Sequence, residues 1–373
     1  MRLIRLPTMP AWDWSIVLTV LAAVLGAVLL TWSPPGAAAT LADNAVASGR
    51  PIGTDTATDT DIARTSRALE RAQAAVLGLR VTAFEGARSA ATLGQRREGS
   101  GIVIGADGLV LTIGYLVLEA DQVSLLTDDG RTIAARVVGY DVASGFGLVQ
   151  ALAPLGIAPV PLGDAPTLQP GQVLMVASGG AAGAVSAAQL VARRDFSGFW
   201  EYHISGALFT APARNDHSGA GLFDARGALL GVGSLVMSDV ADDRPAGGAR
   251  QPGNMFVPVD LLRPILAELR THGRSSASAR AWVGINCVER NGGLQIVRVA
   301  DDSPADVAGL QVGDRILAID GQAVSTLAAL WQTLWIGGAE REITLDIERD
   351  HLPSAMKVYS VDRMATLRRA EGI

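Results

Sequence analysis

Side chains that could act as a base or a nucleophile near neutral pH are scarce in this 373-residue chain. It has one lysine, Lys357, one cysteine, Cys287, and four histidines. A serine nucleophile needs a neighbouring base to take its proton, so any hydrolytic chemistry depends on where these few groups lie. The single cysteine excludes an intramolecular disulfide and any CxxC redox or zinc-finger spacing. We expect Cys287 to be a small buried apolar residue.

Metal, nucleotide and nucleic-acid sites have no support in the sequence. No HxxE or HxxxH spacing offers clustered metal ligands, and no GxGxxG follows a strand and opens a helix. The 31 basic and 37 acidic residues give a net charge of −6, the wrong sign for a surface that neutralises phosphates. The sequence therefore predicts no metal, no cofactor and no nucleic-acid partner.

The N-terminus predicts export. A basic start precedes a nearly uninterrupted apolar run from Ile16 to Leu30. Such a run suits both a signal-peptide core and a short membrane-spanning helix. A following alanine-rich stretch offers a cleavage site, whereas tryptophans at both ends resemble the interfacial belt of a retained helix. We favour an uncleaved anchor that contacts the inner membrane through residues 12–32. Under either interpretation residues 1–36 direct the rest of the chain to the periplasm.

The rest of the chain predicts a linker and two domains of different type. Residues 37–66 are rich in Ala, Gly, Pro, Asp and Thr and predict a flexible linker, although helical spacing of apolar residues runs from Asp61 to Val76. Short β-branched runs with glycine turns then recur about every 8–15 residues, which predicts an all-β barrel or sandwich rather than a doubly wound fold. A helix over Val259–Leu269 would close this first domain.

A smaller mixed domain follows a polar linker at residues 272–280. Its apolar runs predict strands and helices in alternation. The predicted strands are 294–299, 316–319, 343–348 and 357–361, and the predicted helices are 304–308 and 326–335. With 49% hydrophobic and 18% charged residues, the chain has enough apolar surface for folded cores in both domains.

An ordered series of short motifs resembles the HtrA/Deg trypsin-like serine proteases that carry a C-terminal PDZ domain. The motifs are SGIVI (100–104), ADG (106–108), LT (111–112), LGD (162–164), SGAGL (218–222), FVP (256–258), WVGI (282–285), SPA (303–305), AGL (308–310), GD (313–314) and IDG (319–321). The resemblance implies a mainly β protein, with a trypsin-like double β-barrel over residues 67–271. A PDZ-like α+β domain over residues 281–365 and a tail over residues 366–373 would follow.

The resemblance also implies a serine nucleophile, a histidine base and an aspartate that orients the histidine. Ser218 stands at the serine position, but Tyr115 stands where the family has histidine and Gly145 where it has aspartate. A phenol with a pKa near 10 is a poor base at neutral pH. Asp216 replaces the flexible glycine two residues before the serine, and a carboxylate there would repel a developing oxyanion. We therefore expect a serine-protease fold without proteolytic activity.

Atypical bases keep an enzyme alternative open. His217 is adjacent to Ser218, and His203 is the other histidine within the predicted barrels. Either would be the base of an unorthodox serine endopeptidase, and Asp141 is a candidate for a displaced acid. A Ser–Lys dyad is excluded because Lys357 lies in the second domain.

Loss of the base and the acid shifts the expected function to binding. PDZ domains add an extended C-terminal peptide to a sheet edge and capture its carboxylate with backbone N–H groups. The resemblance places that loop at Trp282, Val283, Gly284 and Ile285, and the pocket walls at Leu327, Leu330 and Trp331. Ordinary core positions are the alternative for the wall residues. We expect a pseudoprotease that binds peptides or unfolded protein ends. Assembly as a homo-trimer, or docking on an active HtrA protease, is the alternative role.

Overall fold

The computed structural model describes residues 56–180, 183–241 and 249–368. The helices are α1 (Thr56–Ala74), α2 (Ala90–Leu93), α3 (Leu266–His272), α4 (Pro304–Val307) and α5 (Leu327–Leu334). The strands are β1 (Val76–Ala83), β2 (Arg96–Val103), β3 (Leu109–Ile113), β4 (Ala120–Leu126), β5 (Thr132–Tyr140), β6 (Phe146–Ala151), β7 (Val173–Ala177), β8 (Val185–Ser197), β9 (His203–Ala211), β10 (Gly221–Phe223), β11 (Leu229–Met237), β12 (Gly253–Pro258), β13 (Ala281–Trp282), β14 (Ile285–Arg290), β15 (Gly293–Val299), β16 (Arg315–Ile319), β17 (Gln322–Ala323), β18 (Arg341–Arg349) and β19 (Leu352–Asp362). The predicted mainly β fold class is confirmed.

Two antiparallel barrels form the first domain. The strand order is β1-β2-β3-β6-β5-β4 in the first barrel and β10-β11-β12-β9-β8-β7 in the second. Strands β2 and β3 contact β10 and β11, so the barrels pack against each other along these strands. All five residues of β3 are buried for this reason. The predicted barrel architecture is confirmed, and the junction between the barrels carries the candidate site.

Two helix boundaries differ from the sequence prediction. Helix α1 begins at Thr56, inside the range predicted as a linker, and it packs Leu69 and Ala72 into the barrel core. The single closing helix predicted over Val259–Leu269 is wrong in extent, because a 3₁₀ turn covers Val259–Leu261 and α3 begins only at Leu266. Pro264 lies between them. Proline donates no backbone N–H and disfavours helical backbone in the preceding residue, which keeps the two turns apart.

The C-terminal domain is one curled sheet with two short helices. The strand order is β13-β19-β18-β16-β15-β14, and β17 pairs with β16. Strand β14 therefore lies at one end of this order. The four predicted strands fall within β15, β16, β18 and β19, and the two predicted helices coincide with α4 and α5 to within one residue at each end. Trp331 is fully buried in the separate apolar core of this domain.

Asp141 ties the interdomain linker to the first barrel. Its carboxylate is fully buried and accepts hydrogen bonds from the backbone N–H and hydroxyl of Ser144 and from the hydroxyls of Ser275 and Ser278. Farther along the chain, the Arg368 backbone N–H donates to Glu119 Oε1 at 3.1 Å. These contacts hold both ends of the C-terminal domain on the first barrel. They also give Asp141 a structural role that does not involve a histidine.

The predicted membrane segment, residues 12–32, lies outside the described residues. Across residues 56–180, 183–241 and 249–368, no helix combines the length and the apolarity that a bilayer crossing requires.

Replacing Asp141 by alanine leaves three buried seryl hydroxyls and a backbone N–H without their acceptor. We expect the Asp141→Ala substitution to lower the free energy of unfolding by about 2–4 kcal/mol, because hydrogen bonds to a buried charge are strong and their donors cannot reach water. Urea denaturation measures this change. The exposed Asp121 provides the matched control, since Asp121→Ala should change stability by about 0.5 kcal/mol or less. Equal effects of the two substitutions would contradict the assigned role of Asp141.

Candidate functional site

Ser218 and Tyr115 meet at the junction of the two barrels. Tyr115 lies in the 3₁₀ turn Gly114–Leu116 that follows β3, and Ser218 lies shortly before β10. The Tyr115 hydroxyl donates to Ser218 Oγ at 2.8 Å and lies 3.0 Å from the carbonyl oxygen of Ser234. The structure thus places a phenol within hydrogen-bond reach of the candidate nucleophile, where a general base would have to lie.

Tyr115 is a poor proton acceptor in this environment. Burial raises the pKa of Tyr115 to about 12, and the hydrogen bond with Ser218 offsets only part of this rise. A group with that pKa is ionised in about one molecule in 10⁵ at pH 7. A neutral phenol holds the Ser218 hydroxyl by hydrogen bonding and does not activate it.

The turn that carries Ser218 is fixed by the opposite barrel. The Ser100 N–H donates to the Ser218 carbonyl oxygen at 2.9 Å, and Thr112 Oγ1 donates to the Ser100 carbonyl oxygen at 2.7 Å. Gly219 follows with a φ of +75°, and a Cβ atom there would lie 2.0 Å from the Ser100 carbonyl oxygen. Only glycine fits at this position. The serine therefore has a defined place even though it has no charged partner.

Gly145, the residue that the resemblance aligns with an aspartate, lies against a tyrosine from the other barrel. Gly145 has a φ of +78°, and its carbonyl oxygen accepts from the Gly114 N–H at 2.7 Å. A Cβ atom at residue 145 would lie 2.7 Å from the hydroxyl oxygen of Tyr202. Tyr202 is buried, and burial raises its pKa. This corner of the site therefore holds a neutral phenol and has no space for a carboxylate.

Asp216 is paired through its side chain. Its carboxylate accepts from Arg214 Nε at 3.0 Å and from the hydroxyl of Ser178. Burial opposes ionisation of Asp216, but the hydrogen bonds from Arg214 and Ser178 outweigh it and lower the pKa of the carboxyl. The guanidinium of Arg214 offsets the negative charge of Asp216. The repulsion that the sequence analysis expects between Asp216 and an oxyanion at Ser218 is therefore weaker.

Both candidate histidine bases have other partners. His217 Nδ1 lies 3.2 Å from the Arg214 carbonyl oxygen and 3.1 Å from that of Asn215, and burial lowers the pKa of the ring. His203 Nδ1 lies 2.9 Å from Ser197 Oγ, and its Nε2 lies 3.2 Å from Gln332 Nε2 of α5. In the described part of the chain, neither ring makes a hydrogen bond to Ser218.

The 282–285 loop of the C-terminal domain already holds a carboxylate. Glu201, from the turn between β8 and β9, accepts with Oε1 from the Val283 N–H at 3.1 Å and from the Gly284 N–H at 3.0 Å. Gly284 has a φ of +88°, and a Cβ atom there would lie 2.3 Å from the Ser303 Cβ, so the loop requires glycine. Burial raises the pKa of Glu201, although Arg363 and the loop N–H groups favour its charged form.

The groove beside this loop is occupied by the same turn. The Cys287 N–H of β14 donates to the Phe199 carbonyl oxygen at 2.6 Å, and Trp331 Nε1 of α5 donates to the Gly198 carbonyl oxygen at 2.9 Å. Of the predicted wall residues, Leu330 is buried in the core of the C-terminal domain and Leu327 is half-buried. Trp331 is buried in the same core and also donates the hydrogen bond to Gly198. Cys287 is buried as expected, and burial raises the pKa of its thiol.

A side chain at residue 145 meets two obstacles, the positive φ and the hydroxyl of Tyr202. We expect Gly145→Asp to lower the free energy of unfolding by about 2–4 kcal/mol. Gly156 has a φ of +70° with open space around it, so Gly156→Asp isolates the backbone cost, about 1 kcal/mol.

Adding Tyr202→Phe to Gly145→Asp removes the closest atom, and a double-mutant cycle should show a favourable coupling of about 1 kcal/mol. Denaturation of the single and double variants measures it. A Gly145→Asp protein as stable as Gly156→Asp would contradict the steric assignment.

Comparisons with known proteins agree with this architecture. Residues 99–232 match the model of the trypsin-like peptidase domain, and residues 281–359 match the model of the PDZ domain. Similar proteins include a probable periplasmic serine protease do/HhoA-like of Haemophilus influenzae, 29% identical over 72% of this chain and 60% of that protein. They also include the periplasmic serine endoprotease DegP of Escherichia coli, 24% identical over 68% of this chain and 54% of that protein.

Solved structures share the fold at low sequence identity. HtrA-type protease AlgW with tripeptide has a TM-score of 0.50 and 23% identity, over 82% of this chain and 98% of that chain. AlgW with decapeptide has a TM-score of 0.51 and 21% identity, over 82% of this chain and 99% of that chain. The chain spans about half the length of the first curated relatives that it matches. A trypsin-like peptidase domain followed by a PDZ domain, together with the similarity to periplasmic DegP-like proteases, identifies the chain as an HtrA-type homologue of these serine proteases.

Proposed function

We propose that this protein is a periplasmic member of the HtrA family that does not hydrolyse peptides and that binds the C-terminal ends of protein chains through its PDZ domain. The observation that carries the first part is the Tyr115 hydroxyl, hydrogen-bonded to Ser218 Oγ at 2.8 Å in place of a base. Its pKa of about 12 keeps it protonated at neutral pH.

The surroundings of Ser218 support the absence of hydrolysis. A serine hydroxyl attacks a carbonyl only when a base removes its proton, and a second group must stabilise the charge that forms on that base. Gly145 supplies no carboxylate, and Tyr202 occupies the space that one would need. Ser218 is instead one member of a neutral hydroxyl network that joins the barrels.

The geometry of the 282–285 loop supports carboxylate binding. Two adjacent backbone N–H groups converge on one carboxylate oxygen of Glu201, the arrangement that captures a chain end in PDZ domains. Two of the similar structures are described as AlgW with a tripeptide and with a decapeptide. The names of the relatives also support a periplasmic location. Unfolded proteins in that compartment would expose chain ends.

Any reaction of Ser218 should depend on ionised Tyr115. We expect a fluorophosphonate to label Ser218 very slowly at pH 7, and the labelling rate to rise about tenfold per pH unit up to pH 10, because the phenolate fraction rises tenfold per unit below its pKa. The rate is measured on the intact protein, with the Ser218→Ala variant subtracted.

A different pH profile would identify the rival enzyme. Fast labelling that levels off near pH 7, together with cleavage of an unfolded protein that Ser218→Ala abolishes, would contradict the proposal. It would instead support an endopeptidase whose base is a histidine, since the ordinary pKa of histidine lies near 6.5.

Chain-end recognition predicts that the terminal charge matters. We expect a fluorescent hexapeptide ending in valine to bind about 10- to 100-fold more tightly as the free acid than as the amide, because the loop N–H groups form stronger hydrogen bonds with a charged group. Titration by fluorescence anisotropy measures the two affinities. Equal binding of acid and amide would rule out end recognition. A Gly284 substitution is unsuitable as a control because its Cβ would collide with Ser303.

A further inference from the structure

We propose that residues 198–201 are an internal ligand that closes the PDZ groove, and that a protein C-terminus binds there only in exchange for this segment. The internal ligand is defined by Gly198, Phe199, Trp200 and Glu201, and the groove by the 282–285 loop, β14 and α5. The inference rests on the proposed chain-end binding and adds what regulates that site.

The carboxylate of Glu201 meets the requirements of a chain end. A side-chain carboxylate and a C-terminal carboxylate have the same charge and the same pair of acceptor oxygens. Glu201 Oε1 takes the N–H groups of Val283 and Gly284, and Arg363 Nη1 lies 3.7 Å from Oε2. Its side chain is only 4% exposed, so these donors replace nearly all of its contact with water. An incoming carboxylate must therefore displace that of Glu201.

The backbone of the internal ligand also contacts the sheet edge of the groove. Strand β14 ends the order of its sheet, the position at which a peptide adds as an extra strand. The Cys287 N–H donates to the Phe199 carbonyl oxygen, two residues before Glu201. The Gly198 N–H donates to the Tyr202 carbonyl oxygen at 2.9 Å, so residues 199–201 form the bend of a tight turn, and the tip of this turn lies against β14. The edge and the carboxylate loop are thus occupied by one continuous segment.

The helical wall of the groove is engaged as well. Trp331 Nε1 donates to the Gly198 carbonyl oxygen, and α5 packs against β8 and β9, the strands that flank the internal ligand. Trp200 stacks on Tyr202 with ring centroids 5.6 Å apart, which anchors the segment to its own barrel. Groove and ligand belong to different domains. Exchange for a peptide would therefore loosen the PDZ domain from the second barrel.

Closure reduces the apparent affinity for peptides by the fraction of molecules that are open. We expect Glu201→Gln to raise the affinity for a free-acid peptide at least about tenfold, because an amide oxygen forms weaker hydrogen bonds with the two loop N–H groups than a carboxylate does, and the amide NH₂ would replace the oxygen that faces Arg363. The probe is Ser-Gly-Phe-Trp-Val, which keeps residues 197–200 and ends in a free valine carboxylate. Glu98→Gln is the matched control, since Glu98 is exposed and pairs only with Arg80 among the described contacts.

Hydrogen exchange supplies a readout that does not depend on any peptide. In the wild-type protein we expect slow exchange at the amides of Val283 and Gly284 and at the indole N–H of Trp331. Exchange at all three should be at least about tenfold faster in Glu201→Gln. Trp200→Ala loosens the same segment without changing the groove and should act in the same direction, which keeps the test valid if Glu201→Gln folds poorly.

The possible results separate this inference from the proposed function. Slow hydrogen exchange in the wild-type protein that Glu201→Gln and Trp200→Ala both accelerate, together with tighter peptide binding by Glu201→Gln, supports the internal ligand and its replacement by a peptide. The same acceleration without peptide binding by any protein supports the closed groove and contradicts chain-end binding. Rapid exchange at the three N–H groups in the wild-type protein would overturn the internal ligand. Equal peptide affinity of wild type, Glu201→Gln and Glu98→Gln would overturn the replacement of the internal ligand by a peptide.

Discussion

The burial of the Glu201 carboxylate constrains the arrangement of the whole molecule. A carboxyl group removed from water is strongly destabilising unless hydrogen-bond partners replace its hydration, and burial raises the pKa of Glu201 accordingly. The second barrel alone does not supply the Val283 and Gly284 N–H groups that do so; they come from the PDZ domain, more than 80 residues later in the chain. The two domains are therefore held face to face. The linker serines on Asp141, and Arg368 on Glu119, fasten the other side of the PDZ domain to the first barrel.

Neutral hydroxyl groups meet at the barrel junction beside Ser218. Tyr115 bonds to Ser218 and faces the Ser234 carbonyl, and Tyr202 fills the space beside Gly145. Hydrogen bonds between neutral groups contribute about 1 kcal/mol each to stability. The hydroxyl groups that form them stay protonated through the physiological pH range. Such a network suits a structural junction. The backbone of the serine turn is set by the hydrogen bond from the Ser100 N–H to the Ser218 carbonyl oxygen and by the positive φ of Gly219. Neither contact depends on a catalytic base.

The groove and the barrel junction are linked through two consecutive residues. The Glu201 carboxylate binds the 282–285 loop, and the next residue, Tyr202, fills the corner at Gly145. Trp200 stacks on Tyr202 and belongs to the segment that lies along β14. Any movement of the internal ligand out of the groove therefore acts directly on Tyr202, the residue that packs against Gly145. The groove and the barrel junction are thus connected through adjacent residues of one turn.

The sequence by itself determined the fold class and the small number of side chains that could serve as a base. Alternating apolar runs and glycine turns predict barrels because strand periodicity is local, and the scarcity of histidine and lysine limits any base. The apolar spacing over Val259–Leu269 predicts one helix, but Pro264 separates the 3₁₀ turn at Val259–Leu261 from α3. Only the tertiary structure decided that Asp216 is paired with Arg214, that Asp141 holds the linker, and that Glu201 fills the carboxylate loop. No periodic spacing in the sequence predicts these contacts. They form only when separate elements pack together and a buried carboxyl group needs hydrogen-bond partners.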